Sequence, residues 1–183
     1  MRATGIVRRI DELGRVVIPK EIRKTLRIRE GDPLEIYTEK DELLLKKYSP
    51  ILNFEGEAKA LASAIYEATE RICFITDNDT LVTTSNNTKY KEMIGKPITE
   101  ELSKVLKERK SVIINLSDGG KLLPLIKGET LEVSGQIVVP ILSESDVIGS
   151  VITLAKKDGV PMDASEIRLV SLGALVLGKQ FSE

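Results

Sequence analysis

The chain has 183 residues, of which 42% are hydrophobic and 30% are charged, a balance typical of a soluble protein with one large domain or two small ones. It contains no histidine and a single cysteine, which argues against a zinc site and against histidine-based catalysis. It also lacks the Gly-rich phosphate-binding loops of nucleotide-dependent enzymes, so we do not expect an enzyme. No apolar run reaches membrane-spanning length and no apolar leader precedes the patterned sequence, so we expect a cytoplasmic protein that uses neither a membrane nor a metal.

The net charge of −1 conceals a division along the chain. Residues 1–29 carry 9 Lys and Arg against 3 Asp and Glu, whereas the remainder carries 18 against 25. Such asymmetry predicts a polyanion-binding end on an otherwise acidic body, and double-stranded DNA is the expected polyanion.

The N-terminal segment, 1–48, is patterned as two short hairpins with a helix between them. Strands are predicted over 5–10 and 15–18, a helix over 20–27, and a second hairpin from strands over 34–38 and 43–47. Because so short a unit buries little surface alone, we expect two chains to build one joint core. A twofold dimer would also present its basic elements twice, which suits duplex DNA.

A specific motif carries the interpretation of this segment further. The run TGIVRRIDELGRVVIP at 4–19, followed by EIRKTL at 21–26, resembles the swapped-hairpin DNA-binding domain of the AbrB transition-state regulators. The resemblance covers positions 1–48 and implies an interlaced homodimer of hairpins whose arginines contact DNA. By this resemblance the contacts fall to Arg8, Arg15, Arg23 and Lys24, with Arg9 as a further candidate and Lys20 on the same basic helix. Lysine at position 24 keeps the charge but not the bidentate geometry of arginine, so a base-edge role is not expected there.

Other interpretations of the same residues stay open. The arginines could pair with Asp11, Glu12 and Glu21 as solvated surface charge. Small antitoxins share the swapped-hairpin plan, but they carry a short toxin-binding extension, whereas here the extension, 53–183, is long enough for a full domain. We therefore do not expect an antitoxin.

The remaining part of the chain, 53–183, alternates between helices and strands, and the segment 49–53 is expected to be a linker. The predicted order is a helix over 55–69, strands over 71–76 and 81–84, a short helix over 90–94, a helix capped by Thr99, strands over 111–116, 121–126, 136–142 and 147–154, and a helix over 164–180. This order predicts an α+β domain, an antiparallel sheet with helices packed on it. Pro124 places the 121–126 strand at an edge or a bulge. Cys73 lies in an apolar run and is expected to be a buried, inert thiol.

The element order and the hairpin formed by VVPI at 138–141 and VIGSV at 147–151 resemble a GAF domain. The resemblance implies a small sensory fold that binds a small ligand or serves as an oligomerisation module, and both alternatives stay open. No cofactor is expected, because a chain without histidine and with one apolar-flanked cysteine suits neither haem nor bilin attachment. The apolar stripes of the two flanking helices could pair between subunits, giving a homotetramer, or could merely cover their own sheet.

The AbrB-like start, the GAF-like remainder and the length together resemble the stage V sporulation protein T group of spore-forming bacteria. The resemblance implies a DNA-binding regulator of sporulation genes, activating or repressing, with domains at 1–52 and 53–183. The alternative is a ligand-sensing oligomer whose N-terminal unit is only a dimerisation clamp.

Overall fold

The computed structural model describes residues 4–85 and 88–181. The chain divides after Tyr48 into two compact units. None of the described helices is long and apolar enough to cross a bilayer.

The N-terminal unit consists of an extended segment, one helix and one hairpin. Helix α1 spans Lys20–Leu26, and strands β1 (Leu34–Glu39) and β2 (Glu42–Lys47) pair antiparallel around a two-residue turn. Lys40, in that turn, takes a left-handed conformation with φ of 50°. The predicted helix and second hairpin are therefore confirmed to within a residue or two at their ends.

The two strands predicted over 5–10 and 15–18 are wrong for the isolated chain. This segment carries no strand pairing, although the turn between them forms, with Gly14 at φ of 75° and its amide donating to the Asp11 carbonyl at 3.0 Å. An isolated two-stranded hairpin is hardly stable in water, since it has no third strand and no apolar face to pack on. Segment 5–18 therefore forms the predicted turn but neither of the predicted strands.

The N-terminal unit has no interior of its own. No residue between 4 and 48 is buried, and many apolar side chains of this unit face solvent. Val7 is 86% exposed and Leu13 is 74% exposed. The others are Ile6, Ile10, Val16, Val17, Leu26, Ile36, Tyr37, Leu43, Leu45 and Tyr48. The N-terminal unit has enough apolar side chains to form a core, but a single chain leaves them exposed.

The C-terminal unit is an antiparallel sheet with helices on one face and a helix and loops on the other. Its helices are α2 (Pro50–Asn53), α3 (Glu55–Thr69), α4 (Glu100–Lys107) and α5 (Ala164–Lys179). Its strands are β3 (Ile72–Asp77), β4 (Leu81–Thr84), β5 (Val112–Asn115), β6 (Val133–Ser143) and β7 (Asp146–Lys156), in the sheet order β4-β3-β7-β6-β5. The long β6–β7 hairpin is central, and its two-residue turn places Glu144 at φ of 52°. The α+β class and the antiparallel sheet are confirmed.

The two faces of the sheet bury separate cores because side chains alternate along each strand. On one face Cys73 and Ile75 of β3 pack with Ala62 of α3 and Ala174 of α5. On the other face Phe74, between them in sequence, packs with Leu81 of β4, with Leu102 and Leu106 of α4, and with Tyr90 and Leu125 from the segments that connect the strands. The helix-covered face and the loop-covered face are therefore both filled by the chain's own side chains.

In the C-terminal unit three predicted segments differ in the structure. The expected linker 49–53 contains helix α2, with the Ser49 hydroxyl accepting the Leu52 amide at 3.3 Å and Ile51 fully buried. The predicted helix over 90–94 is a 3₁₀ helix spanning Thr88–Met93, which Gly95 ends at φ of 81°.

The predicted strand over 121–126 forms only an isolated bridge, from Ile126 to Ile98. The Gln136 side chain replaces a neighbouring strand here, donating to the Leu123 carbonyl and accepting the Leu123 amide, each at 2.9 Å. Pro124 has no amide hydrogen to give to a ladder, which agrees with the irregularity.

Candidate nucleic-acid interface

The six predicted DNA-binding side chains all lie exposed on the N-terminal unit. They are Arg8, Arg9, Arg15, Lys20, Arg23 and Lys24. Within 4–85 and 88–181, the ranges that the structure describes, five of them form no ion pair, and only Arg15 is paired. The alternative in which these cations are neutralised by neighbouring carboxylates therefore holds for one of the six.

Arg15 is held at the turn by Asp11. Its Nε–H donates to Asp11 Oδ2 at 2.8 Å, while Asp11 Oδ1 accepts the backbone amides of Arg15 at 2.8 Å and of Leu13 at 3.0 Å. The Arg15 amide and then its guanidinium lower the pKa of the Asp11 carboxyl below its ordinary value. One carboxylate thus shapes the turn and orients the arginine that follows it.

Helix α1 gathers three of the cations on one face. Lys20, Arg23 and Lys24 are spaced by three and four residues, so their side chains project from the same side of the helix. Ile22 is half-buried on the other side. The helix ends where Arg27 takes a left-handed conformation with φ of 54°.

Two side chains outside the predicted set fix the end of this helix. Lys47 of β2 donates to the Arg27 carbonyl at 3.0 Å and forms an ion pair with Asp32 at 2.9 Å. Asp32 also accepts the Arg29 amide at 2.9 Å. A cation at a helix C-terminus is favourable because the free carbonyls there are partly negative. Lys47 and Asp32 therefore attach α1 to the hairpin and determine where its basic face lies.

Sequence reasoning found one of these positioning contacts and missed the other. Pairing of the arginines with Asp11 was among the open alternatives, because an acid stands four positions before Arg15 across a Leu-Gly turn. Lys47 and Asp32 are distant in sequence, and their meeting depends on how the hairpin folds back, which no local pattern shows.

The loop-covered face of the C-terminal unit is largely occupied by apolar side chains of the chain itself. An open groove of about 450 Å³ lies at its border. The groove is lined by Ile72, Lys89, Tyr90, Glu132, Lys156, Lys157, Asp158 and Gly159. Its floor is apolar and aromatic, and its rim carries three cations and two carboxylates.

The flanking helices differ in what they leave exposed. Helix α3 buries Ala58, Ala62 and Ile65 against its own sheet, so its apolar stripe is used within the unit. Helix α5 buries a stripe that includes Val170 and Ala174, yet a second apolar stripe faces outward. That outward stripe consists of Leu169, Leu172, Leu175 and Val176.

The thiol of Cys73 is buried, as predicted. Burial in apolar surroundings raises its pKa far above the ordinary range, which keeps the sulfur protonated and unreactive.

These features define a protein with a basic, cation-bearing end and a second, sheet-based unit, and comparison with known proteins gives each part its relatives. Residues 53–182 match the family model described as stage V sporulation protein T C-terminal, transcription factor. Residues 7–53 match the model described as antidote-toxin recognition MazE, bacterial antitoxin.

Individual relatives agree with this division. The whole chain is 42% identical to Stage V sporulation protein T of Bacillus subtilis over 184 residues, covering 100% of both. A stretch covering 27% of this chain and 52% of the relative is 62% identical to the Transition state regulatory protein AbrB of the same organism.

The solved GAF domain from Acinetobacter phosphoenolpyruvate-protein phosphotransferase superposes on 70% of this chain and 86% of its own, with a TM-score of 0.55 and 14% identity. At that identity the likeness shows a shared GAF fold. The chain belongs to the stage V sporulation protein T family.

Proposed function

We propose that this chain is a DNA-binding transcriptional regulator of sporulation genes whose N-terminal unit docks on double-stranded DNA. The observation that carries the proposal is the set of exposed cations, five of the six without an ion pair among the described residues, on a segment 62% identical to AbrB. Exposed, unpaired Lys and Arg side chains are available to replace the counterions of DNA phosphates. Docking of this kind requires no catalytic residues.

The DNA-binding form is a homodimer built through the N-terminal unit. Its apolar side chains are exposed in one chain, and fully burying each Val, Leu or Ile side chain contributes about 1.5–3 kcal/mol. Strand pairing between two copies of segment 5–18 would bury them and satisfy the backbone of that segment. Two copies of the cation set would then face one duplex in fixed register.

The experiment replaces Arg15 and Arg23 by Ala and measures both DNA affinity, by fluorescence anisotropy, and mass, by light scattering. Lys40→Gln, which removes one cation in the β1–β2 turn outside the six candidates, is the control. If the chain is a DNA-binding regulator, the double variant should lose at least about tenfold in DNA affinity at about 0.1 M salt while its oligomer stays intact, because several phosphate contacts are lost together. Unchanged affinity in the double variant would favour the alternative in which the N-terminal unit is only a dimerisation clamp.

The outward stripe of α5 supports further assembly into a homotetramer through the GAF-like unit. Leu172, the most exposed of the four side chains, lies near the middle of the stripe. Leu172→Glu should halve the mass measured by light scattering while leaving the dimer of the N-terminal unit in place. A mass matching a simple dimer for the unmodified chain at micromolar concentration would remove the tetramer.

For a ligand-sensing role, the second use of a GAF-like unit, we propose the groove beside Tyr90 as the binding site. Its apolar floor and charged rim suit a small molecule with a ring and an anionic group. Thermal shift with a panel of nucleotides and amino acids, repeated on Lys156→Gln, tests it. A compound that stabilises the original chain but not the variant would support sensing. If no compound stabilises the original chain, the unit is an assembly module.

A further inference from the structure

A second basic cluster lies on the C-terminal unit, at the end of helix α4. Basic residues take most of the positions from 104 to 110, namely Lys104, Lys107, Arg109 and Lys110. All four are exposed, and none forms an ion pair with any residue that the structure describes. We refer to them as the α4 cluster.

The local backbone holds the cluster together. Lys104 and Lys107 are three apart in the last turn of α4, so they share a face of the helix. The helix stops at Glu108, and Arg109 takes a left-handed conformation with φ of 56°, its amide donating to the Leu106 carbonyl at 3.0 Å. Lys110 follows directly, before strand β5 begins at Val112. Leu102 and Leu106 of the same helix are buried in the core and hold α4 in place, which fixes the backbone that carries the cluster.

The cluster contrasts with the unit that carries it. Residues 49–183 contain 15 Lys and Arg against 19 Asp and Glu, so the unit as a whole should be repelled by DNA. Elsewhere in the unit, Arg71 and Lys96 form close ion pairs with Glu166 and Glu129. Two cations near the end of α4 would satisfy the partial negative charge of its carbonyls. Four are more than that role requires.

We propose that the α4 cluster is a second DNA contact, which binds backbone phosphates of the duplex that the N-terminal unit holds. The inference rests on the proposed DNA binding, because it is the N-terminal unit that brings phosphates to the same molecule at high effective concentration. Charge complementarity carries it, since four cations without an ion pair among the described residues match a polyanion, and most protein contacts of Lys and Arg with DNA go to phosphates. The contact therefore adds affinity and salt dependence without adding sequence preference.

The test uses the full chain with Lys104, Lys107, Arg109 and Lys110 all replaced by Gln. Its matched control replaces four other exposed cations of the same unit, Lys59, Lys91, Lys121 and Lys127, by Gln, which removes the same net charge from other places. Affinity for a duplex is measured by anisotropy across about 0.05–0.3 M salt, and circular dichroism melting checks the fold. A third variant, with Lys104→Arg, Lys107→Arg and Lys110→Arg, keeps all four positive charges.

The α4 variant should lose at least about tenfold in affinity, and the slope of log affinity against log salt should become shallower by about 2 or more. The charge-keeping variant should match the unmodified chain, and the control should change far less than the α4 variant. Equal affinities and slopes for the α4 variant and the control would overturn the inference while leaving N-terminal DNA binding intact. Failure of the unmodified chain to bind DNA at all would instead overturn the proposed function.

Discussion

The guanidinium Nε of Arg15 donates to Oδ2 of Asp11 at 2.8 Å, across the turn that opens the candidate DNA interface. Both side chains are exposed, and an exposed pair of this kind is screened by water and adds little to stability. A phosphate can therefore compete for Arg15, and the Asp11 charge then lies close to a like-charged ligand. The same carboxylate holds the turn through the amides of Leu13 and Arg15.

Replacing Asp11 by Asn should raise DNA affinity by about two- to fivefold at low salt. The amide oxygen can still accept the turn's backbone amides, while the charge that opposes phosphate is gone. Asp11→Ala, which removes the acceptor as well, should bind more weakly than Asp11→Asn, since the turn loosens. Anisotropy titrations with one duplex measure both, and an Asn variant weaker than the original would show that the Arg15–Asp11 pair itself is needed at the interface.

Salt dependence gives a second prediction. If about four cations per subunit contact phosphates in a dimer, log affinity should fall with log salt at a slope near −7. Contacts from the α4 cluster would make the slope steeper. A slope shallower than about −2 over the same salt range would contradict phosphate docking by the N-terminal unit.

The close approach of α5 to β6 predicts a costly glycine substitution. A Cβ at Gly178 would lie inside the contact distance of the Leu142 carbonyl oxygen. Although Ala is preferred over Gly in helices by about 1 kcal/mol, Gly178→Ala should destabilise the chain by about 2–4 kcal/mol, because backbone must shift. Gly56→Ala in α3, where a Cβ meets nothing within 4 Å, is the control and should be neutral or stabilising in urea unfolding.

An ion pair ties the start of β3 to α5. Arg71 Nε and Glu166 Oε1 are 2.6 Å apart, with the side chains 14% and 18% exposed. Glu166→Gln leaves a half-buried guanidinium without its counter-charge, and should cost about 1–3 kcal/mol in urea unfolding. The comparison is Glu132→Gln, whose pair with Lys89 spans 3.7 Å at 64% and 69% exposure and should cost under about 0.5 kcal/mol. Equal costs would mean that the Arg71 pair adds nothing beyond surface charge.

The cap of α5 predicts a pH dependence of stability. Asp163 accepts the Ser165 hydroxyl at 2.5 Å and the amides of Ser165 and Glu166, and the hydroxyl is the main reason that its pKa lies below the ordinary 3.8. A lowered folded pKa means that this stabilisation is complete above the unfolded value and is lost as pH falls through the folded one.

Asp163→Asn keeps an acceptor but does not titrate. The original chain should therefore melt at a higher temperature than the Asn variant near pH 6, and the gap should narrow as pH falls below 3.8 and close once pH lies below the folded pKa of Asp163. A gap that stays constant over this range would show that the charge of Asp163 does not stabilise the helix.

Local pattern was enough for the elements that close within the chain. Helix α3 follows its apolar spacing, Thr99 accepts the Leu102 amide as an N-cap, and the β6–β7 hairpin forms around its short turn. The candidate cations could also be chosen from the sequence, since charge on a turn and on a short helix is local. Their role in DNA contact stays a prediction.

Interactions between distant residues were beyond sequence reasoning. Segment 121–126 has strand-forming residues, yet Gln136 takes up its Leu123 backbone groups. Segments 5–10 and 15–18 also have strand-forming residues, but pairing needs a neighbouring strand that one chain does not supply. The capping box of Asp163 with Glu166 was readable from the sequence and was missed.

The burial of Cys73 gives this protein a built-in probe of its own opening. The chain has a single thiol, so any reaction with a thiol reagent in native buffer reports one location, between β3 and the helices that cover it. The labelling rate, compared with that of the unfolded chain, yields the free energy of exposing that sulfur. Repeating the measurement with DNA present would show whether occupancy of the N-terminal unit slows or hastens the opening of the other, without any added dye or engineered site.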